Sequence, residues 1–238
     1  MNRTLKCAKF ELSRLLPSIS IFLGIYIASY LLLIVLLATT SGSSGTTNMN
    51  LCFAANIFIA VFLIATYKNF YNNLLMFGNT RQSIINAMFI ISVMISIGFA
   101  ALSLLSEYLN TWLGDLFSFP TSSMFKLIYG QVNDFEELLF FMTMLLALCA
   151  FALLYGALEY KIGKKFKVIF WVSFGFLWIL IPIFQRFNIV TQVINAIKWY
   201  FGYGIRDGIL HVSLHFFITA IILGGITYLI ARRQPQDS

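Results

Sequence analysis

Six stretches of the chain are long and apolar enough to approach or meet the length of a membrane span, which needs about 20 mostly apolar residues. They run from Ser18 to Ala38, Leu51 to Thr66, Ile84 to Leu105, Leu138 to Leu158, Phe166 to Phe184 and Ile209 to Ala231, the second being the shortest. The pattern predicts an all-α membrane protein with six transmembrane helices, organised as one transmembrane domain over residues 1–238.

Three pieces between and before the spans carry further information. Within residues 1–17, Leu5, Ala8, Leu12, Leu15 and Leu16 share one face of a helical wheel, and Lys6, Lys9 and Ser13 share another. That predicts an interfacial helix with its cations at headgroup level, and Pro17 marks a turn into the first span. Residues 67–83 are too polar to span, yet Tyr67, Phe70, Leu74 and Phe77 fall at helical spacing. Gly78 and Asn79 read as a helix stop, and Asn79 or Thr80 as the cap of the third span. A short helix with exposed aromatics is a docking surface; the plain alternative is a belt helix that anchors the turn. Residues 185–208 place Val190, Val193, Ile194, Ile197 and Tyr200 at helical spacing, with Trp199, Tyr200 and Tyr203 as interfacial aromatics. They form either a surface helix or a re-entrant segment before the last span.

Rows of small residues spaced by four occur in three spans: Ser92, Ser96 and Ala100; Ala152 and Gly156; Ala220 and Gly224. Such rows let helices approach closely in lipid. Pro182 is placed to kink the fifth span.

Composition sharpens the membrane assignment. Of 238 residues 60% are hydrophobic and 11% charged, roughly half the charged fraction of a soluble domain. The net charge is +7, and twelve of the sixteen basic residues lie before span one, between spans two and three, between four and five or in the first turn of five, and after six. The positive-inside rule puts those segments in the cytoplasm, giving an N-in/C-in topology. Glu107, Asp115, Asp134, Glu136 and Glu137 then fall in or beside an outer loop over residues 106–137. Basic residues distributed this way mark topology rather than nucleic-acid binding. Cys7, Cys52 and Cys149 form neither a metal-type pair nor a disulfide framework. No cleavable signal peptide is expected, because the first apolar run is long enough to remain in the bilayer.

The candidate chemistry is sparse. There is no GxxxxGK[ST] loop; Gly163-Lys164 lacks both the upstream glycine and the following hydroxyl residue. Glu136-Glu137 resembles the opening of the CAAX-type membrane protease motif, but Leu138, Leu139, Phe140 and Phe141 follow it with no arginine, as at the solvated acidic end of a helix. Asp207, His211 and His215 stand at i, i+4 and i+8 on one helical face, and these are the only two histidines. They form a candidate outer polar site, with zinc ligation, proton or substrate contact, and plain hydrogen bonding at a span mouth as the alternatives; no metal site is assigned. The spans hold almost no ionisable residues, which argues against an ion-coupled carrier and favours energy delivered from outside the lipid.

The basic segment LKCAKFELSRLLPS, the six-span N-in/C-in arrangement, the inner stretch MFGNTRQSIINA and the long outer segment before the last span together resemble the permease subunit of an ABC-2-type transporter, of the short kind found in Gram-positive bacteria. The resemblance implies a multi-pass protein of the bacterial cytoplasmic membrane. It also implies a cytoplasmic coupling helix, carrying Tyr67, Phe70, Tyr71, Leu74, Phe77 and Arg81, that rests on a separate ABC ATPase subunit. ATP and Mg would be held by that partner, with no cofactor on this chain, which would not be an enzyme itself. A second permease, copy or paralogue, would complete the pathway. Cargo by resemblance is an antimicrobial or amphipathic peptide, through export or self-immunity; drug or lipid export and a non-transport scaffold are the alternatives.

Overall fold

The computed structural model describes residues 3–39, 51–117, 129, 132–163, 165–173, 176, 189–203 and 208–233. Among them the regular structure is all helix: α1 (Arg3–Thr39), α2 (Leu51–Met76), α3 (Arg81–Phe117), α4 (Asp134–Ile162), α5 (Ile189–Tyr200) and α6 (Gly208–Arg232), with residues 165–173 also helical. In hydrocarbon a backbone must satisfy its own hydrogen bonds, and a helix does so within one segment. Among the described residues five helices are long and apolar enough to cross a membrane: Arg3–Leu33, Leu51–Met76, Arg81–Leu116, Asp134–Ile162 and Gly208–Arg232. The chain is thus a multi-pass helical membrane protein. Of the fifth expected run, Phe166 to Phe184, most of the C-terminal half including Pro182 lies outside the described residues.

Two expected boundaries are absent. The helix does not turn at Pro17 but continues through it, so the interfacial segment and the first span form one rod, about 55 Å long. Proline removes one N–H and crowds the Ser13 carbonyl, a small loss within 37 residues of helix. The second boundary, at Thr66, is also missing: span two and the expected coupling helix are one continuous α2. Neither Gly nor Pro interrupts Leu51–Met76, so nothing stops the helix before Gly78. That stop is as expected. Gly78 adopts φ +70°, its N–H bonds to Leu75 O (2.9 Å), and the Asn79 N–H bonds to Leu74 O (3.2 Å), the Schellman pair. Thr80 caps α3: its Oγ1 accepts from the Ser83 N–H at 3.3 Å.

Helix α4 is the axis of the packing, flanked by α2, α3 and α6, while α1 lies against α2 and α3. Its Phe141, Leu145, Cys149, Ala152 and Ala157 are fully enclosed. The small-residue rows sit where helices cross. Ser92, Ser96 and Ala100 are buried, and Ser96 Oγ lies 3.9 Å from Cys149 Sγ. A Cβ on Gly224 would come within 3.3 Å of the Phe89 ring, and one on Gly156 within 2.6 Å of Tyr67 Cγ. Serine and threonine hydroxyls in these helices are satisfied by carbonyls one turn back, as Ser92 by Met88 (2.9 Å) and Ser103 by Phe99 (2.7 Å). The three cysteines are buried, and no disulfide joins them.

Cross-helix contacts sort the helix termini into two ends. At one end Phe10 meets Phe77 edge-on, Tyr160 donates to Asn72 Oδ1 (2.8 Å), and Tyr71 donates to Ala231 O (3.3 Å). The start of α1, the α2–α3 turn and the ends of α4 and α6 therefore meet there, bringing Lys6, Lys9, Arg14, Lys68, Arg81, Lys161 and Arg232 to one end. At the other end Tyr30 donates to Asn110 Oδ1 (2.7 Å) and Tyr108 donates to Asp134. Glu136 there accepts from the Asn133 N–H (3.3 Å), capping α4. Glu137, expected at a solvated helix end, is instead buried: Asp134 and Phe135 before it are exposed, but it lies on the face of α4 that turns into the packing.

Candidate functional site

The residues expected to meet a partner split sharply. Tyr67, Phe70, Tyr71 and Leu74 are all at most 5% exposed. The Tyr67 and Tyr71 rings stack at 6.1 Å, and Tyr71 meets Tyr160 at 5.2 Å. Gly156 is the reason this face turns inward: lacking a side chain, it lets α4 close onto the Tyr67 ring. The expectation of an exposed aromatic docking helix is therefore corrected, since these rings fill the core of their own chain. What remains outside is the tip. Met76 and Phe77 are 83% and 69% exposed, with Phe10 beside Phe77 at 5.9 Å, and Arg81 is half-buried at the first turn of α3.

At the opposite end the two histidines are brought together, while Asp207 lies outside the described residues. The His211 and His215 rings are 4.2 Å apart, edge to face. His215 Nδ1 is 2.8 Å from His211 O, one turn back on α6; a carbonyl accepts only, so Nδ1 carries the hydrogen. Trp199 packs edge-on to both rings, at 5.0 and 4.7 Å, and Tyr200 adds a third ring at 5.2 Å from His215. Tyr200 also bonds Thr219 (2.8 Å between hydroxyls). Among the described residues no three potential metal ligands converge. The arrangement is an imidazole pair boxed by indole and phenol rings, suited to holding α5 on α6.

Helix α5 realises the helix expected within 185–208, with Val193, Ile194, Ile197 and Trp199 exposed. It ends in a second Schellman turn: Gly202 (φ +65°) donates to Trp199 O (3.0 Å) and Tyr203 to Lys198 O (2.9 Å). Tyr129 locks this turn by donating to Phe201 O at 2.9 Å. Burial pushes its hydroxyl up to about 12, so it remains a neutral donor.

No protein-family model matches the chain, and neither a curated protein nor a solved structure does.

The sequence pattern left two groups of residues unremarked. Tyr129 belongs to no motif in the sequence and becomes important through its contact with Phe201. Glu11, Asn69, Asn72 and Asn73 line a groove of ≈ 570 Å³ between α1 and α2. Lys6 and Lys9 flag the N-terminal segment as interfacial, but no spacing rule pairs it with an asparagine-rich stretch some sixty residues away.

Proposed function

We propose that this chain is the membrane-spanning subunit of an ATP-driven exporter of the ABC-2 type, set in a bacterial cytoplasmic membrane and powered by a separate ATPase. The observation that carries the proposal is the basic end of the bundle, with Met76 and Phe77 exposed at its tip beside Phe10. By the positive-inside rule that end faces the cytoplasm. An ATPase docked there would act on α2 and α3 through their shared turn, so the coupling role moves from the buried Tyr67–Leu74 face to the tip. ATP and Mg belong to that partner, and this chain carries no catalysis of its own.

Six crossings are part of this proposal. Helix α4 ends at the basic end and α6 begins at the other, which supports a crossing between them. The helical residues 165–173 would start that crossing; they pack through Phe166 and Phe170 against Tyr155 (both 5.1 Å). Lys167 pairs with Glu159 there at 2.9 Å.

The cargo proposed is an amphipathic peptide. An apolar cleft of ≈ 340 Å³ between α3, α4 and α6, walled by Phe89, Val93, Leu146, Ile221 and Tyr228, supports an apolar pathway wall to be completed by a second permease. Purification in mild detergent from the native host tests the proposal. A P-loop ATPase should co-purify in near-equal amount and hydrolyse ATP faster in the complex. Recovery of the chain without any nucleotide-binding subunit would overturn it.

A further inference from the structure

The groove between the first turns of α1 and the last turns of α2 holds a group that the protein leaves unmatched. Glu11 is 8% exposed, and its Oε2 has no hydrogen-bond partner. A buried carboxylate in apolar surroundings is costly unless a donor or cation meets it. Arg14, one turn along, attracts it only through space: it is exposed and holds its guanidinium 5.0 Å above the Phe10 ring. On the inner side Glu11 borders only a small void of ≈ 20 Å³, room for about one water. On the outer side it lines the ≈ 570 Å³ groove with Arg14, Ser18, Thr66, Asn69 and Asn73. The groove therefore offers, side by side, a carboxylate oxygen lacking a donor, a cation that attracts it only through space, and neutral amides and hydroxyls between apolar walls.

We propose that this groove binds the headgroup of an aminophospholipid, its ammonium on Glu11 and its phosphate on Arg14. An ammonium supplies three N–H donors, which suits Oε2 and the neighbouring amide and hydroxyl oxygens. Residues three apart on a helix stand about 5–6 Å from each other, a separation matched to the ammonium and phosphate of one headgroup. The segment's lysines and arginine place this level of α1 among headgroups on whichever side of the membrane it lies, so the assignment does not rest on the transport proposal. A choline headgroup has no N–H to donate and leaves Glu11 unmatched. The site is thus selective for primary amines.

Native mass spectrometry of the full-length protein in maltoside micelles, titrated with phosphatidylethanolamine or phosphatidylcholine, tests this. Phosphatidylethanolamine should bind about tenfold more tightly. Glu11→Gln, which keeps the shape and removes the charge, should bring the two lipids within about twofold of each other. Asn69→Phe, at an exposed position on the opposite wall, should block the groove and abolish the preference with Glu11 intact. Equal binding of the two lipids by the wild type, or a preference that survives either substitution, overturns the proposal. So does displacement of the lipid by water-soluble O-phosphoethanolamine at equal concentration, which would show that no membrane source is needed.

Discussion

Gly156 and Gly98 show how differently one residue type acts at two places in the same fold. The atoms that would meet a Cβ on Gly156 are Tyr67 Cβ and Cγ, the root of the ring rather than its flexible end. Gly156→Leu should therefore lower stability by about 1–3 kcal/mol, seen as a fall in thermal midpoint in detergent. Gly98→Ala meets nothing within 4 Å and should leave the midpoint unchanged or slightly raised. If both variants melt alike, the close approach of α4 to α2 is wrong. The spacing of Ala152 and Gly156 announces a close contact in sequence, but not that Tyr67 is what fills it. Spacing marks which face is small and is silent about the residue opposite.

At the level of elements, the α2–α3 turn separates folding from coupling. Its stop at Gly78 and its cap at Thr80 were readable because both rest on local backbone geometry. The inward rotation of Tyr67, Phe70, Tyr71 and Leu74 was not, because a run of aromatics at helical spacing fits a docking face and a core face equally well. Two outcomes separate them. Met76→Asp with Phe77→Asp should leave the protein folded and remove binding of the proposed ATPase. Phe70→Asp, by contrast, places a charge in the core and should prevent accumulation of folded protein altogether. A well-folded Phe70→Asp chain by gel filtration would restore the exposed-face assignment. At the other end Trp199→Ala should release α5 from α6, raising hydrogen exchange across 189–203 while residues 212–227 stay protected. Exchange that is unchanged in 189–203 would mean that the imidazole–indole contacts hold nothing.

For the whole molecule the two ends are the strongest test. Lys68 and Asn133 are both exposed and lie at opposite ends. A cysteine at 133 should react with a membrane-impermeant maleimide on intact cells, and one at 68 only after permeabilisation. The native cysteines are buried and give little background. Reaction of both on intact cells would break the N-in/C-in arrangement and the transporter proposal with it.

The sequence by itself determined that the chain lives in lipid, the apolar middle of five of its helices, and that its basic residues gather toward one end. These are consequences of run length and of charge position, which act locally on each segment as it meets the bilayer. Tertiary structure alone decided that α1 and α2 run unbroken past Pro17 and Thr66, and that the α2 aromatics face the core. It also decided that Glu11 shares a groove with Asn69 and Asn73. Each of these depends on which helix lies opposite, and helices that are apolar on every side carry no stripe to say so.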